Sequence, residues 1–217
     1  MGRIRIVAQI AFFALIVRPL LFLLIGLRAV EKERLPLVGP AVVAANHNSH
    51  LDIVALMSLF PLGLLHRVRP VAAADVFSKP GPLGWIARNL LGIVPIDRSG
   101  QGAEVALAPV RTVLDRGEIV IIFPEGTRGA PETLKTFKRG ASVLAAEYPD
   151  VPFVPVYLTG LGKSLPKGEW IIVPFVSEAR IGVARTAATA AGEAMSDMLR
   201  GDIEALAAES KLASWAV

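Results

Sequence analysis

Short apolar runs alternate with helix-like stretches along most of this chain. The strand-like runs fall at 41–45, 68–73, 93–96, 119–123, 153–158, 170–175 and 180–183. The helical stretches fall at 51–60, 83–90, 103–115, 141–147 and 186–208. Such alternation predicts an α/β fold, a mixed and largely parallel β-sheet covered by helices. Continuous apolar runs such as Ile119-Val120-Ile121-Ile122-Phe123 read as strands buried on both faces. Two prolines in Val151-Pro152-Phe153-Val154-Pro155-Val156 predict an edge strand or an irregular one. No helical pattern separates the closing runs between Trp170 and Val183, which predicts antiparallel pairing there. The Ala-rich tail at 186–208 is helix-prone, although Gly192 and Gly201 weaken it.

The N-terminus departs from this alternation. Residues 6–17 are apolar apart from Gln9, Arg18-Pro19 interrupts, and 20–27 resumes. Together the two pieces reach the roughly 20 apolar residues that cross a bilayer, whereas each alone is too short. Arg18 would be expensive at mid-bilayer, and Pro19 breaks or kinks a helix. Arg3 and Arg5 flank one end, and Arg28, Lys32 and Arg34 the other. Basic residues at both ends suit a bent helical hairpin dipping into one leaflet with both ends cytosolic. A single span and a soluble helix pair buried in the core are the alternatives; a cleaved signal peptide lacks a clear cleavage site. The expected organisation is a membrane-associated arm at 1–34 and an α/β domain at 35–217. The α/β domain would then lie on the cytoplasmic face of the cell membrane.

Composition agrees with a lipid environment. At 217 residues the chain suits one domain with a full core. Its 53% hydrophobic content and mean hydropathy of +0.53 are high for a soluble protein and call for a membrane, a lipid or an unusually large core. A net charge of +4 suits anionic surfaces and anionic substrates. Nucleic acid is a poor partner, since aromatic-basic interleaving and long Lys/Arg runs are missing. The absence of cysteine excludes disulfides, a thiol nucleophile and thiolate metal sites.

The chemistry-bearing residues collect between these elements. Asn46-His47-Asn48-Ser49-His50-Leu51-Asp52 lies between a strand and a helix, where α/β folds place their sites. Ser49-x-x-Asp52 reads as a capping box with Asp in place of Glu. Capping accounts for Ser49 and Asp52 and leaves His47 unexplained. His47 can take a proton near neutral pH, and Asp52 could orient its ring. His50 has a solvated or packed role as its default. A metal reading would use His47, His50 and Asp52, without a clear further ligand.

Phe123-Pro124-Glu125-Gly126-Thr127-Arg128-Gly129 follows the most strand-like run. Its tight turn exposes backbone N–H groups, and Arg128 offers a fork for phosphate. The bland alternative is a polar loop with a Glu125–Arg128 pair. Gly92 to Gly100 places Arg98 after another strand, where it either reaches the same anion or sits on the surface. Lys135, Lys138 and Arg139 form a basic cluster, which is an anion site, a headgroup contact or a solvated helix start.

Taken together, these motifs resemble the glycerolipid acyltransferase family, the group containing 1-acylglycerol-3-phosphate acyltransferases. His47 to Asp52 fits the family's Asn-His-x-Ser-x-x-Asp block, and Gly92 to Arg98 fits Gly-x5-Arg. Phe123 to Arg128 fits Phe-Pro-Glu-Gly-Thr-Arg, Val151 to Pro155 fits Val-Pro-x-x-Pro, and Phe137 to Ala141 is similar to Phe-Lys-x-Gly-Ala. Ala73 stands where many relatives place Lys, and Gly129 where Ser is common.

The resemblance implies acyl transfer from acyl-CoA or acyl-carrier protein to the free hydroxyl of a lysophospholipid, 1-acylglycerol 3-phosphate foremost. His47 would be the base and Asp52 its orienting partner. Arg98 and Arg128 would hold the acceptor's phosphate, with Lys138 and Arg139 as further candidates. Glu125 would bind glycerol hydroxyls or buttress an arginine, and the Gly126-Thr127 turn would line the site. Backbone N–H groups near the Glu125-Gly126 turn would receive the oxyanion. No cofactor is implied beyond the thioester co-substrate. The rival readings are a transacylase, a non-catalytic lipid-binding protein and a metal-dependent hydrolase.

Overall fold

The computed structural model describes residues 2–74, 81–97, 102–130, 132–165, 172–190, 193–210 and 212. Seven strands form one sheet: β1 Arg28–Val30, β2 Ala41–Ala45, β3 Val68–Ala73, β4 Val94–Ile96, β5 Ile119–Ile122, β6 Phe153–Thr159 and β7 Glu178–Ile181. Around it lie α1 Arg3–Phe12, α2 Asp52–Leu59, α3 Pro82–Ile86, α4 Gly102–Ala106, α5 Ala108–Asp115, α6 Gly140–Glu147, α7 Leu161–Ser164 and α8 Met195–Glu209. The strand order is β1-β7-β6-β2-β5-β3-β4. Strands β6, β2, β5, β3 and β4 run parallel, β7 lies antiparallel to β6, and β1 parallel to β7. The sheet is therefore mixed and largely parallel, as expected.

Alternation along the central strands feeds two cores. Val42, Ala44, Val120, Ile122 and Phe153 face Val110, Leu114, Leu144, Leu199 and Ile203 of α5, α6 and α8. Val43, Ala45, Ile119, Ile121 and Val154 face Leu56, Phe60 and the N-terminal helix. Both faces are covered, which is why these strands read as unbroken apolar runs.

Several expectations are corrected. Strand β6 is interior despite its prolines. The Gly182 N–H donates to Pro155 O at 2.8 Å, and a Cβ on Gly182 would lie 2.7 Å from Pro155 Cγ. Glycine there clears room for a ring that replaces a ladder donor. The antiparallel pair is β6–β7. Of the predicted 170–175 strand, 170–171 lie outside the described residues. The remainder is non-strand, with Pro174 between half-exposed Val173 and Phe175. The three-residue edge strand β1 is too short to pattern. The predicted helix at 103–115 is broken between α4 and α5, where Pro109 suits only a first turn. In the tail, helix begins at Met195. The Thr189 hydroxyl accepts the Thr186 N–H at 2.8 Å, a local bond that competes with helix.

The apolar N-terminal pieces form one helical run rather than a hairpin. Helix α1 continues through π-helical turns at Phe13–Val17 and Leu20–Leu24. Pro19 is tolerated because the wide i→i+5 turns relieve its clash with the preceding turn. Phe13, Val17, Leu21 and Ile25 are buried in the core, four residues apart. A spacing of four overshoots a 3.6-residue α turn and undershoots a wider π turn, so mixing the two keeps these residues on one face. Arg18 is not left unsatisfied. Its guanidinium donates to the carbonyls of Ser58 (3.2 Å) and Phe60 (2.6 Å), at the C-terminal end of α2. Gln9 donates to Leu90 O at 2.8 Å. The opposite face carries Ile4, Val7, Leu15 and Leu23, all well exposed.

The two faces should respond differently to truncation. Phe13→Ala is expected to cost about 3–5 kcal/mol. Leu15→Ala, 75% exposed, should stay within about 0.5 kcal/mol. Urea unfolding in detergent micelles measures both, and equal small effects would mean that the helix does not dock.

Candidate active site

The parallel strands end at one edge, and there the chemistry collects. Strand β2 ends at Ala45, beside β5, which ends at Ile122. The neighbouring strands bring His47 and Glu125 together from 78 positions apart.

Asp52 is the first residue of α2, and its side chain is 1% exposed. Its Oδ2 accepts the backbone N–H groups of Asn48 and Ser49, each at 2.8 Å, and lies 2.8 Å from His47 Nδ1. The bond from Ser49 N is the reach-back half of the predicted capping box. The forward half is different: the Ser49 hydroxyl accepts from Leu51 N at 3.2 Å and donates to Leu165 O at 2.9 Å. A carboxylate at a helix start is also favoured by the helix dipole. An oxygen already accepting two N–H groups is an acceptor for the ring too. His47 therefore carries its proton on Nδ1 and presents the Nε2 lone pair.

The His47 ring is fixed on other sides as well. It stacks on Phe123, with centroids 4.2 Å apart and planes 24° from parallel. Its backbone is held at both polar groups: His47 N–H donates to Glu125 Oε1 at 3.0 Å, and His47 O accepts from Gly129 N at 2.8 Å. Asn46 ties the same loop to β6, donating to Leu158 O (2.8 Å) and accepting from Leu158 N (2.7 Å). Asn48 donates to Ala130 O at 2.8 Å.

The other expected residues divide. Glu125 is 3% exposed and buttresses the His47 backbone, not an arginine. Arg128 makes no ion pair with Glu125; its guanidinium lies against the His50 ring. Burial, and then the Arg128 charge, push His50 below its ordinary value, which keeps it a neutral acceptor. His47, with Nδ1 on Asp52, and His50, turned to Arg128, do not converge as a metal-ligand set. Thr127 is exposed and accepts from Lys135 Nζ at 3.3 Å; the same Nζ donates to Arg128 O at 2.8 Å. Lys135 thus braces the turn.

Gly126 has φ +74°, and a Cβ there would lie 2.7 Å from Lys138 Cε, so the Lys138 stem covers it. The Gly126 N–H is committed to Phe123 O at 2.9 Å and does not serve as an oxyanion donor. Arg139 is exposed at the cap of α6, with no side-chain hydrogen bond or ion pair among the described residues. Arg98 lies outside the described residues; β4 before it ends at the same edge. Gly129 is accounted for locally, since a Cβ would sit 3.2 Å from Thr133 O.

Sequence reasoning missed Phe123 as a ring platform and Asn46 and Asn48 as loop ties. Only the position of Asn46 and Asn48 beside His47 hinted at those ties.

Comparisons with known proteins bear on the family and the fold. The family model described as Acyltransferase matches residues 27–159. A chloroplastic 1-acyl-sn-glycerol-3-phosphate acyltransferase of Brassica napus is 37% identical over 130 residues, covering 59% of this chain and 36% of that protein. A 1-acyl-sn-glycerol-3-phosphate acyltransferase of Bacillus subtilis is 33% identical over 147 residues, covering 65% of this chain and 68% of that protein. The matches span only 34% to 42% of the plant and mouse relatives' own length. Among solved structures, the 1-acyl-sn-glycerophosphate acyltransferase PlsC of Thermotoga maritima shares the fold. Its TM-score is 0.71 at 24% identity, over 93% of this chain and 78% of that one.

Glu125 offers a test of the site's electrostatics. Burial pushes its carboxyl above the ordinary value, opposed by the backbone N–H groups of His47 and Lys135. A raised carboxyl pKa in the folded state makes ionisation costly to the fold as pH rises past the unfolded value of 4.5. Glu125→Gln keeps the acceptor for His47 N–H and removes that cost. Its Tm should exceed the wild type's at pH 8, with the gain shrinking to nothing below pH 4.5. A Tm difference that ignores pH would show that Glu125 ionises without penalty.

Proposed function

We propose that this chain, which belongs to the acyltransferase family, is an O-acyltransferase that moves a fatty acyl group from an acyl-CoA or acyl-carrier-protein thioester to the free hydroxyl of 1-acylglycerol 3-phosphate, giving phosphatidic acid. The carrying observation is the 2.8 Å contact of His47 Nδ1 with a buried Asp52, beside the Phe123-to-Arg128 turn. The similarity to 1-acyl-sn-glycerol-3-phosphate acyltransferases supports this acceptor.

His47 Nε2 takes the proton of the acceptor hydroxyl as its oxygen attacks the thioester carbonyl. Asp52 keeps the ring in the productive tautomer and stabilises the imidazolium. Collapse of the tetrahedral intermediate forms the ester and expels the thiolate, which recovers the proton from His47. With no cysteine in the chain and a base already positioned, direct attack needs no acyl-enzyme. Arg128 binds the acceptor's phosphate: its guanidinium lies against the His50 ring, which burial and the Arg128 charge hold toward the neutral form. Arg98 and Lys138 assist it, with Arg139 at the rim. Holding the phosphate removes part of the entropic barrier to attack.

The outer face of the N-terminal helical run meets lipid. The helix Arg3–Leu23 is long and apolar enough to cross a membrane. Its inner face, however, is packed on the domain, and Arg18 is bonded to the end of α2. These contacts favour a helix lying in one leaflet, with Ile4, Val7, Leu15 and Leu23 in the acyl region. The cytoplasmic side for the catalytic domain is part of the proposal.

His47→Ala should lower kcat by at least about 100-fold, with an unchanged circular dichroism spectrum. Thiol release from acyl-CoA with 1-acylglycerol 3-phosphate as acceptor reads this out, and wild-type turnover would sink the mechanism. Arg128→Ala should raise the acceptor KM by about tenfold or more and leave the thioester KM nearly unchanged. Equal rises in both would remove Arg128 from the phosphate site.

A further inference from the structure

Glu132 is a carboxylate beside the site that the chemistry above leaves unused. It adopts φ +59°, a left-handed conformation that carries a cost for any residue with a Cβ. Something must hold it there, and its side chain does. Oε1 accepts the Gly160 N–H at 2.9 Å. Oε2 accepts from the hydroxyl of Thr159 and, at 3.3 Å, from that of Tyr157. Tyr157 and Thr159 are two apart on β6, so both hydroxyls leave one face of the strand. Burial and the Glu132 charge push the Tyr157 phenol up to about 12, so it remains a donor. Glu132 therefore fastens its loop to the carboxyl end of β6.

That loop is the one that grips His47. Upstream of Glu132 it supplies the Glu125 carboxylate to His47 N–H, the Gly129 N–H to His47 O, and the Ala130 carbonyl to Asn48. The β2 end is tied to the same strand through Asn46 and Leu158. Strand β6 is thus a common frame: the His47 loop hangs from it on one side and the gripping loop on the other. We propose that Glu132 is a positioning residue, a latch through Thr159 and Gly160 that holds the 125–130 loop against His47 and so keeps Nε2 aimed at the reacting hydroxyl. The proposal rests on the reading of His47 as the base.

Glycine separates the latch from the turn, because it takes a positive φ freely and cannot reach β6. If Glu132 acts as a latch, Glu132→Gly should lower Tm, since the Gly160 N–H and the buried Tyr157 and Thr159 hydroxyls lose their acceptor, yet remain folded at the assay temperature, lower kcat about tenfold and leave the thioester KM unchanged. Glu132→Gln should recover most of kcat, since the carboxamide can accept from Gly160 and donate to the two hydroxyl oxygens. Thr159→Val should lower kcat as glycine does, and Glu132→Gly with Thr159→Val should be no worse than either alone. Wild-type kcat in Glu132→Gly, or additive losses in the double variant, would overturn the latch. So would a kcat loss in Glu132→Gly that glutamine does not restore. His47→Ala, run in parallel, separates the two claims. An active His47→Ala removes the base itself, whereas an inactive His47→Ala beside a fully active Glu132→Gly removes only the latch.

Discussion

One oxygen atom organises this site. Asp52 Oδ2 gathers the N–H groups of Asn48 and Ser49 and faces Nδ1 of His47. A buried carboxylate is tolerable only where donors replace the water it has lost. Here the replacement donors are the two amides that open the turn into α2 and the imidazole itself. The same contacts start a helix, set a tautomer and fix the direction of a ring. Oδ1 is buried without a hydrogen-bond partner among the described residues, so removing any one of the Oδ2 contacts would leave the charge shorter still of donors, which couples local folding to chemistry at a single position.

Much of this was legible in the amino-acid pattern, and the losses have physical reasons. Strands β2, β5 and β6 are buried on both faces, so they announce themselves as continuous apolar runs. The three-residue edge strand β1 has no such signal, and the 172–175 segment has apolar residues without a partner strand. The interior place of β6 was hidden because its proline is made tolerable by a glycine 27 positions later, at Gly182. At the site, His47 and Asp52 meet within five residues, so their spacing could be read. Glu125 buttressing a backbone amide, and His50 set against Arg128, join residues 78 positions apart. Such pairings follow from strand order, which no local window contains.

The Phe-Pro-Glu-Gly-Thr-Arg turn emerges as a clamp as much as a substrate surface. Phe123 holds one face of the His47 ring, while Glu125 and Gly129 take the two backbone groups of that residue. Lys135 braces the turn from outside. The glycines serve this clamp in different ways. Gly126 permits the positive φ under the Lys138 stem, and Gly129 lets the loop fold back against Thr133. A site built in this way achieves alignment through several weak contacts on rigid strand ends, which tolerates no large adjustment of either loop.

The docked N-terminal helix has a consequence for handling the protein. Phe13, Val17, Leu21 and Ile25 form part of the roof over Leu56 and Phe60. Trimming the chain after residue 27 in search of a water-soluble catalytic fragment would strip that roof and expose the apolar floor beneath it. It would also leave the Ser58 and Phe60 carbonyls without their Arg18 donor. The greasier half of this helix is the one that can be redesigned. Polar residues placed at Ile4, Val7, Leu15 and Leu23 would change the solvent around the protein while leaving its interior whole.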